Sequence, residues 1–241
     1  MMNYNIPAMS PGWTIRGSDM SGEYGAIITD TFMELCADYE TLTQIEYPCL
    51  ESNLLQETIQ QKSLIVMVFS AMCLEGYLNL YGAVALGDDE FYSKHERTSA
   101  VNKFDMICKD ILKLSEGTYS KEITQIKELF DNRNYLAHSK SKEYTPTEIY
   151  VRECDPNEKT PLDTTRDRCE LEKAEKAFHT VRDIALFFDS HDCNALATTC
   201  VFFTHILHQH YEENPHPDRI EFLKKHGIVH RFRQVKCNEI L

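Results

Sequence analysis

The sequence predicts an all-α fold, and three observations support that prediction. Glycine (9 residues) and proline (8 residues) are scarce in a chain of 241 residues. Long segments rich in Leu, Ala, Glu and Lys carry apolar residues three and four positions apart, which is the period of an amphipathic helix. Hydrophobic residues make up 42% of the chain, which is ample for a packed core. We therefore expect an antiparallel helical bundle with extra C-terminal helices and a small irregular or hairpin insertion.

Charge and cysteine content narrow the possible functions and the compartment. The net charge is −13, whereas proteins that coat nucleic acid are usually basic, so any RNA contact must be local. The 9 cysteines are odd in number and no two are spaced C-x-x-C. They are expected to be free thiols in a reducing cytoplasm. The N-terminal residues lack the basic and apolar regions of a signal peptide, so we expect a cytoplasmic protein.

The helical pattern divides the chain into three parts. Residues 1–23 are expected to form an irregular arm, residues 24–190 the helical bundle, and residues 191–241 a helical extension with a basic end. Residues 141–166 break the pattern, and Thr147–Val151 within them resembles a short strand. Gly87–Arg97 is expected to be a polar loop. The predicted helices run from about Tyr24 to Tyr47, Glu51 to Gly82 or beyond, Thr98 to Leu114, Ser120 to His138, Asp167 to Phe188 and Asn194 to Tyr211.

The second predicted helix contains an unusual polar stripe. Leu64–Leu86 is long and apolar enough to span a membrane, but Glu75 places a carboxylate at its centre. We therefore expect the central helix of a bundle and no membrane contact. Ala71, Glu75, Asn79 and Gly82 recur at helical spacing along one side of it. The small residues Ala71 and Gly82 allow close approach of another helix, and the carboxylate and amide then need polar partners.

The segment Leu129–His138 ends the next long helix and has charged and polar residues where packing favours apolar ones. One face of this helix carries apolar residues at helical spacing: Ile123, Ile126, Phe130 and Ala137. With Ile126 at zero, Arg133 falls near −20°, Asn134 near 80° and His138 near 120°. A charged residue in the middle of a buried stripe is costly unless it is paired. Glu75 is its expected partner.

The combination Arg133, Asn134 and His138 suggests phosphate chemistry. Arginine can grip a phosphate with two hydrogen bonds, and histidine can move a proton near neutral pH. Together they can catalyse attack of an RNA 2′-hydroxyl on the adjacent phosphate, with Asn134 positioning that phosphate or orienting His138. The alternative is structural: a buried Arg–Glu pair and a histidine with satisfied hydrogen bonds.

The sequence Arg-Asn-Tyr-Leu-Ala-His at 133–138 resembles the signature of the HEPN superfamily, in which His follows Arg after four to six residues. Upstream, Ser70–Asn79 resembles the helix that packs on this motif, where an acidic residue and an Asn face the Arg and His. The resemblance covers about Tyr24 to Ser190.

This resemblance implies a metal-independent endoribonuclease without a cofactor, of the kind found in toxin–antitoxin and phage-defence systems. Its catalytic residues would be Arg133, Asn134 and His138, supported by Glu75 and Asn79. It further implies a homodimer with the motif helices at the interface, RNA as substrate and a cognate antitoxin or regulatory protein as partner. Many members have lost catalysis, so a non-catalytic interaction or RNA-binding module, antitoxin-like in role, is the alternative.

Two further clusters of residues do not predict a binding site. His205 and His208 share a helix face, but His210 points elsewhere and no H-E-x-x-H motif accompanies them, so we expect an exposed helix end and no metal site. Basic residues concentrate between Arg219 and Lys236. They are either an RNA contact or a solvated tail, and the tail is favoured.

Overall fold

A computed structural model describes residues 20–45, 49–138, 169–191, 221–222 and 224–227. These residues are mostly helical and contain no strand, which confirms the all-α prediction for the described part of the chain. The helices are α1 (Ser21–Leu42), α2 (Leu50–Leu86), α3 (Asp88–Lys94), α4 (Ala100–Met106, continued by a π-helical turn at Ile107–Ile111), α5 (Ser120–Ala137) and α6 (Leu171–His191).

Helix α2 is the centre of the bundle, as predicted. It packs against α1, α3, α4, α5 and α6. Its start is fixed by a reciprocal cap, in which Ser52 N–H donates to Cys49 Sγ and Cys49 N–H donates to Ser52 Oγ. By length and composition α2 is the one helix among the described residues that is apolar enough to cross a membrane. In the bundle, its Val66, Leu74 and Tyr77 are completely buried.

The core is formed where α1 and α6 cover α2. Tyr77 of α2 packs edge-on against Phe188 of α6, with ring centroids 5.3 Å apart. Phe32 of α1 lies 4.9 Å from Phe178 of α6. Burying such aromatic side chains stabilises the fold by about 2–3 kcal/mol each before the entropy of ordering them is counted.

The small-residue stripe on α2 does permit a close approach, at Gly82. The ring of Phe91, fully buried in α3, lies directly on the Gly82 backbone. The prediction of a polar loop over Gly87–Arg97 was therefore wrong. Acidic residues at positions 88–90 stabilise the first turn of α3 through the helix dipole, and Phe91 anchors the helix to α2.

Other helix bounds differ from the predictions by a few residues. α1 begins at Ser21, inside the segment predicted as an irregular arm, and ends at Leu42 before the predicted Tyr47. Near that end, the Thr41 and Thr43 hydroxyls donate to backbone carbonyls, and threonine disfavours helix continuation. The predicted Thr98–Leu114 helix is shorter and changes to a π turn after Met106.

Part of the predicted C-terminal extension packs on the bundle. Phe222 and His226 lie 5.5 and 5.4 Å from the ring of Phe32 on α1. His226 also contacts Phe178 of α6 at 5.8 Å. Several predicted features lie outside the described residues: Trp13, the strand Thr147–Val151, the helix Asn194–Tyr211 with its histidines, and most of the basic end.

Candidate functional site

Helix α5 is held against α2 and α6 by two buried residues and a set of polar bridges. Ile126 and Leu129 are its buried residues, at 0% and 4% exposure. Gln125 donates to Asp183 of α6 at 3.0 Å. The predicted stripe omitted Leu129 and included Ala137, which is exposed. Because the buried face is centred nearer Leu129, Arg133 lies on it and Ala137 does not, although Leu136 of the last turn still packs against the core.

The predicted partnership between Arg133 and Glu75 is present. Arg133 Nη2 donates to Glu75 Oε2 at 3.1 Å, and the side chains are 25% and 36% exposed. The guanidinium also lies 5.3 Å from the ring centroid of Phe130, one turn earlier on α5. A partly shielded carboxylate and an aromatic face thus hold the arginine in one orientation.

A third charge joins this pair and was not foreseen. Lys103 of α4 is 1% exposed, and its Nζ lies 3.8 Å from Glu75 Oε1. Burial lowers the pKa of Lys103, while the charges of Glu75 and Glu96 oppose that shift. Glu75 therefore bridges two cations, one from α4 and one from α5, and links the two helices that face it.

A cleft of about 490 Å³ opens beside this charge cluster. Glu75, Arg133 and Asn134 line it, together with Lys127 and Phe130 of α5. The remaining lining residues are Asp131 and the start of α4, Ser99–Asn102. The cleft is large enough for one nucleotide-sized group and presents two cationic side chains, Lys127 and Arg133, beside two carboxylates.

Two buried polar atoms near this cluster have no hydrogen-bond partner within the described part of the chain. They are Arg133 Nε and Asn79 Oδ1. Asn79 lies one turn beyond Glu75 on α2, as the stripe predicted, but it does not line the cleft. A buried donor without an acceptor is costly, so Arg133 Nε keeps an unused donor beside the cluster.

His138 is not brought to the Arg133–Glu75 pair. It caps the C-terminus of α5, is exposed, and does not line the cleft. Its backbone N–H donates to Asn134 O at 3.0 Å, but among the described residues its imidazole makes no hydrogen bond to Arg133, Asn134 or Glu75. One copy of the chain thus places Arg133 on the cleft and leaves His138 away from it.

Sequence reasoning missed Lys103 and Lys127. Lys103 lies three residues after Ala100 and four before Ile107, both buried, so its place on the apolar face of α4 was visible in the spacing. Lysine on an apolar face usually extends its charge to solvent, so the spacing alone does not predict a buried ammonium. The sequence around Lys127 gives no such indication, because whether Lys127 lines the cleft depends on how α4 packs against α5.

No protein-family model, curated protein or solved structure matches this chain. The arrangement must therefore be interpreted from its own chemistry. An arginine that is oriented by a carboxylate and lines a cleft can bind a phosphate oxygen. An exposed histidine on the same helix can transfer a proton if a ligand or a second chain reaches it.

Proposed function

We propose that this chain is a HEPN-type endoribonuclease that cleaves RNA without a metal. The observation that carries the proposal is Arg133, paired to Glu75 across two helices and lining an open cleft with Nε unpaired among the described residues. Arg133 stabilises the charge on the phosphate in the transition state, and Asn134, on the same cleft, positions that phosphate. The helical bundle itself is taken to be HEPN-like.

The chemical step needs a base and an acid beside that phosphate. The RNA 2′-oxygen attacks phosphorus, the bond to the 5′-oxygen breaks, and the products are a 2′,3′-cyclic phosphate and a 5′-hydroxyl. His138 removes the proton of the 2′-hydroxyl or supplies one to the leaving oxygen. Glu75 keeps the guanidinium of Arg133 oriented before the substrate binds. Asn79, one turn further along α2, supports Glu75.

A homodimer brings together the arginine and histidine side chains that lie apart in one chain. Asn134, Ala137 and His138 are all exposed at the end of α5. Two such ends meeting across a two-fold axis place two histidines and two arginines around one composite cleft. The proposal therefore includes a dimer with the α5 helices at its interface, and a monomeric mass at micromolar concentration contradicts this geometry.

The second candidate is a non-catalytic HEPN module that binds RNA or a partner protein in a regulatory or antitoxin-like role. The observation that favours it is the separation of His138 from the Arg133–Glu75 pair. In this case Glu75, Arg133 and Lys103 form a structural ion cluster, and phosphate binding at the cleft persists without cleavage.

The cellular setting belongs to the same proposal. We place the protein in the cytoplasm as a toxin or phage-defence component controlled by a cognate antitoxin or regulatory protein. The burial of the middle of α2 supports the absence of a membrane role. Recovery of the protein in the soluble fraction without detergent tests that part directly.

The experiment that tests the activity is incubation of purified protein with a broad RNA panel in EDTA. Wild type is expected to cleave, and Arg133→Ala and His138→Ala to lose cleavage. The matched controls are Arg97→Ala and His191→Ala, because both residues are exposed and neither lines the cleft. Intact RNA with wild type, together with RNA binding that Arg133→Ala abolishes, selects the non-catalytic candidate instead.

A further inference from the structure

A second polar cluster lies where the C-terminal segment 221–227 meets α6. His179 Nε2 and His226 Nδ1 are 3.0 Å apart, although the residues are 47 positions apart in sequence. Glu175 lies one turn before His179 on α6, so the two share a helix face. One side-chain ligand atom from each of these three residues lies within 4.8 Å of the others.

The spacing of these atoms suits a tetrahedral metal ion. Zinc binds imidazole nitrogens at about 2.0–2.1 Å, which puts two nitrogens of a tetrahedral site about 3.3 Å apart. The observed 3.0 Å between the imidazole nitrogens is close to this separation. Two histidines and one carboxylate are also a common zinc ligand set that leaves one position open for water.

The surroundings hold the two rings in place. The ring of His226 packs against Phe222 at 4.4 Å and Phe32 at 5.4 Å, which shields one side of the pair from water. Arg182 Nη1 donates to the backbone carbonyl of His226 at 3.1 Å and fixes the chain there. Glu175 is at least partly exposed, so an ion has a path to the cluster from solvent.

We propose that Glu175, His179 and His226 form a Zn²⁺ site that fastens the segment 221–227 to α6. Without the ion, the two imidazoles share one hydrogen between them. When zinc takes that position, the ring that had donated the hydrogen carries its proton on the other nitrogen instead, so both imidazoles bind as neutral ligands and no proton is released. None of the three residues lines the Arg133 cleft, so this site is independent of the proposed ribonuclease activity.

The test is calorimetric titration of the full, chelator-stripped chain with ZnCl₂, with Glu175→Gln and His179→Ala as variants. His191→Ala is the matched control, because this exposed histidine ends the same helix but lies outside the cluster. We expect one equivalent of zinc to bind wild type and the control alike. Glu175→Gln should weaken that equivalent by at least about tenfold, and His179→Ala should remove it.

Two further measurements keep the test decisive if a substitution disturbs the fold. Far-ultraviolet circular dichroism shows whether His179→Ala folds. If it does not fold, zinc binding by Glu175→Gln alone tests the proposal. Co²⁺ in place of zinc should give the intense visible bands of a tetrahedral site in wild type and not in Glu175→Gln. Equal zinc binding by all four proteins, or no binding by wild type, overturns the proposal.

Discussion

Arg133 Nη2 on α5 donates to Glu75 Oε2 on α2 at 3.1 Å, across 58 positions of sequence. The same carboxylate faces Lys103 of α4 through its other oxygen at 3.8 Å. A single acidic side chain on the central helix therefore orients the arginine that lines the cleft and balances a buried ammonium. Substitutions at Arg133 and at Lys103 separate these two tasks.

The coupling between Glu75 and Arg133 is measurable by a double-mutant cycle. We expect Glu75→Gln and Arg133→Met to show a coupling of about 1 kcal/mol in urea unfolding, because the pair is partly shielded and solvent screening removes the rest. The exposed pair Glu90–Lys94 is the control, with 51% and 61% of its side chains exposed. Its coupling should be at most about 0.5 kcal/mol. Additive effects at Glu75 and Arg133 would contradict an orienting role.

The buried ammonium of Lys103 makes stability depend on pH. Its pKa is lowered in the folded state from 10.5, chiefly by burial. The folded state therefore releases this proton at a lower pH than the unfolded state does, so the cost of burying the charge is full at low pH and disappears as pH rises toward 10.5.

Lys103→Met keeps the apolar stem and removes the charge. At neutral pH the variant should be as stable as wild type or more stable, because replacing a buried ion with an apolar residue of similar size is often favourable. The difference should shrink as pH rises toward the ordinary lysine range. Urea midpoints across that range check this, and a gap that stays constant with pH would show that the charge of Lys103 costs nothing.

Two glycines of α2 should respond oppositely to alanine. At Gly82 a Cβ would overlap the ring of Phe91, whose Cζ is 3.1 Å from the Cβ position. Gly82→Ala should destabilise the fold by about 1–3 kcal/mol, as overpacking does. At Gly76 the nearest atom is Ser21 Cβ at 3.7 Å, an ordinary contact, so Gly76→Ala should stabilise by up to about 1 kcal/mol through helix propensity. Thermal unfolding of the two variants compares them directly.

The helices could be predicted because they rest on local periodicity, whereas the Glu75–Arg133 partnership was predicted from the charge that each residue places on an apolar face. Helical spacing identified α2 as the central helix, and a lone acid and a lone arginine, each on an apolar face, need one another. The position of His138 could not be predicted, because it depends on where α5 ends and on the angle of that last turn. α3 was mistaken for a loop because its polar first turn hid Phe91, whose burial depends on the gap that Gly82 leaves.

The burial of Lys103 and the His179–His226 contact could not be predicted from sequence for a different reason. Lys103 had the right spacing, but only the packing of α4 against α2 shows that its charge stays buried. The histidine contact joins α6 to a segment 47 positions later, and no periodic pattern links residues across such a gap.

The most direct test of the central claim is the chemistry of the RNA ends. Total RNA incubated in EDTA with wild type or with Arg133→Ala is sequenced selectively from 5′-hydroxyl ends, with Arg97→Ala as the control. The account predicts new 5′-hydroxyl ends with wild type and with the control, and none above background with Arg133→Ala. The same set of ends with wild type and Arg133→Ala, or no new ends with either, would contradict it.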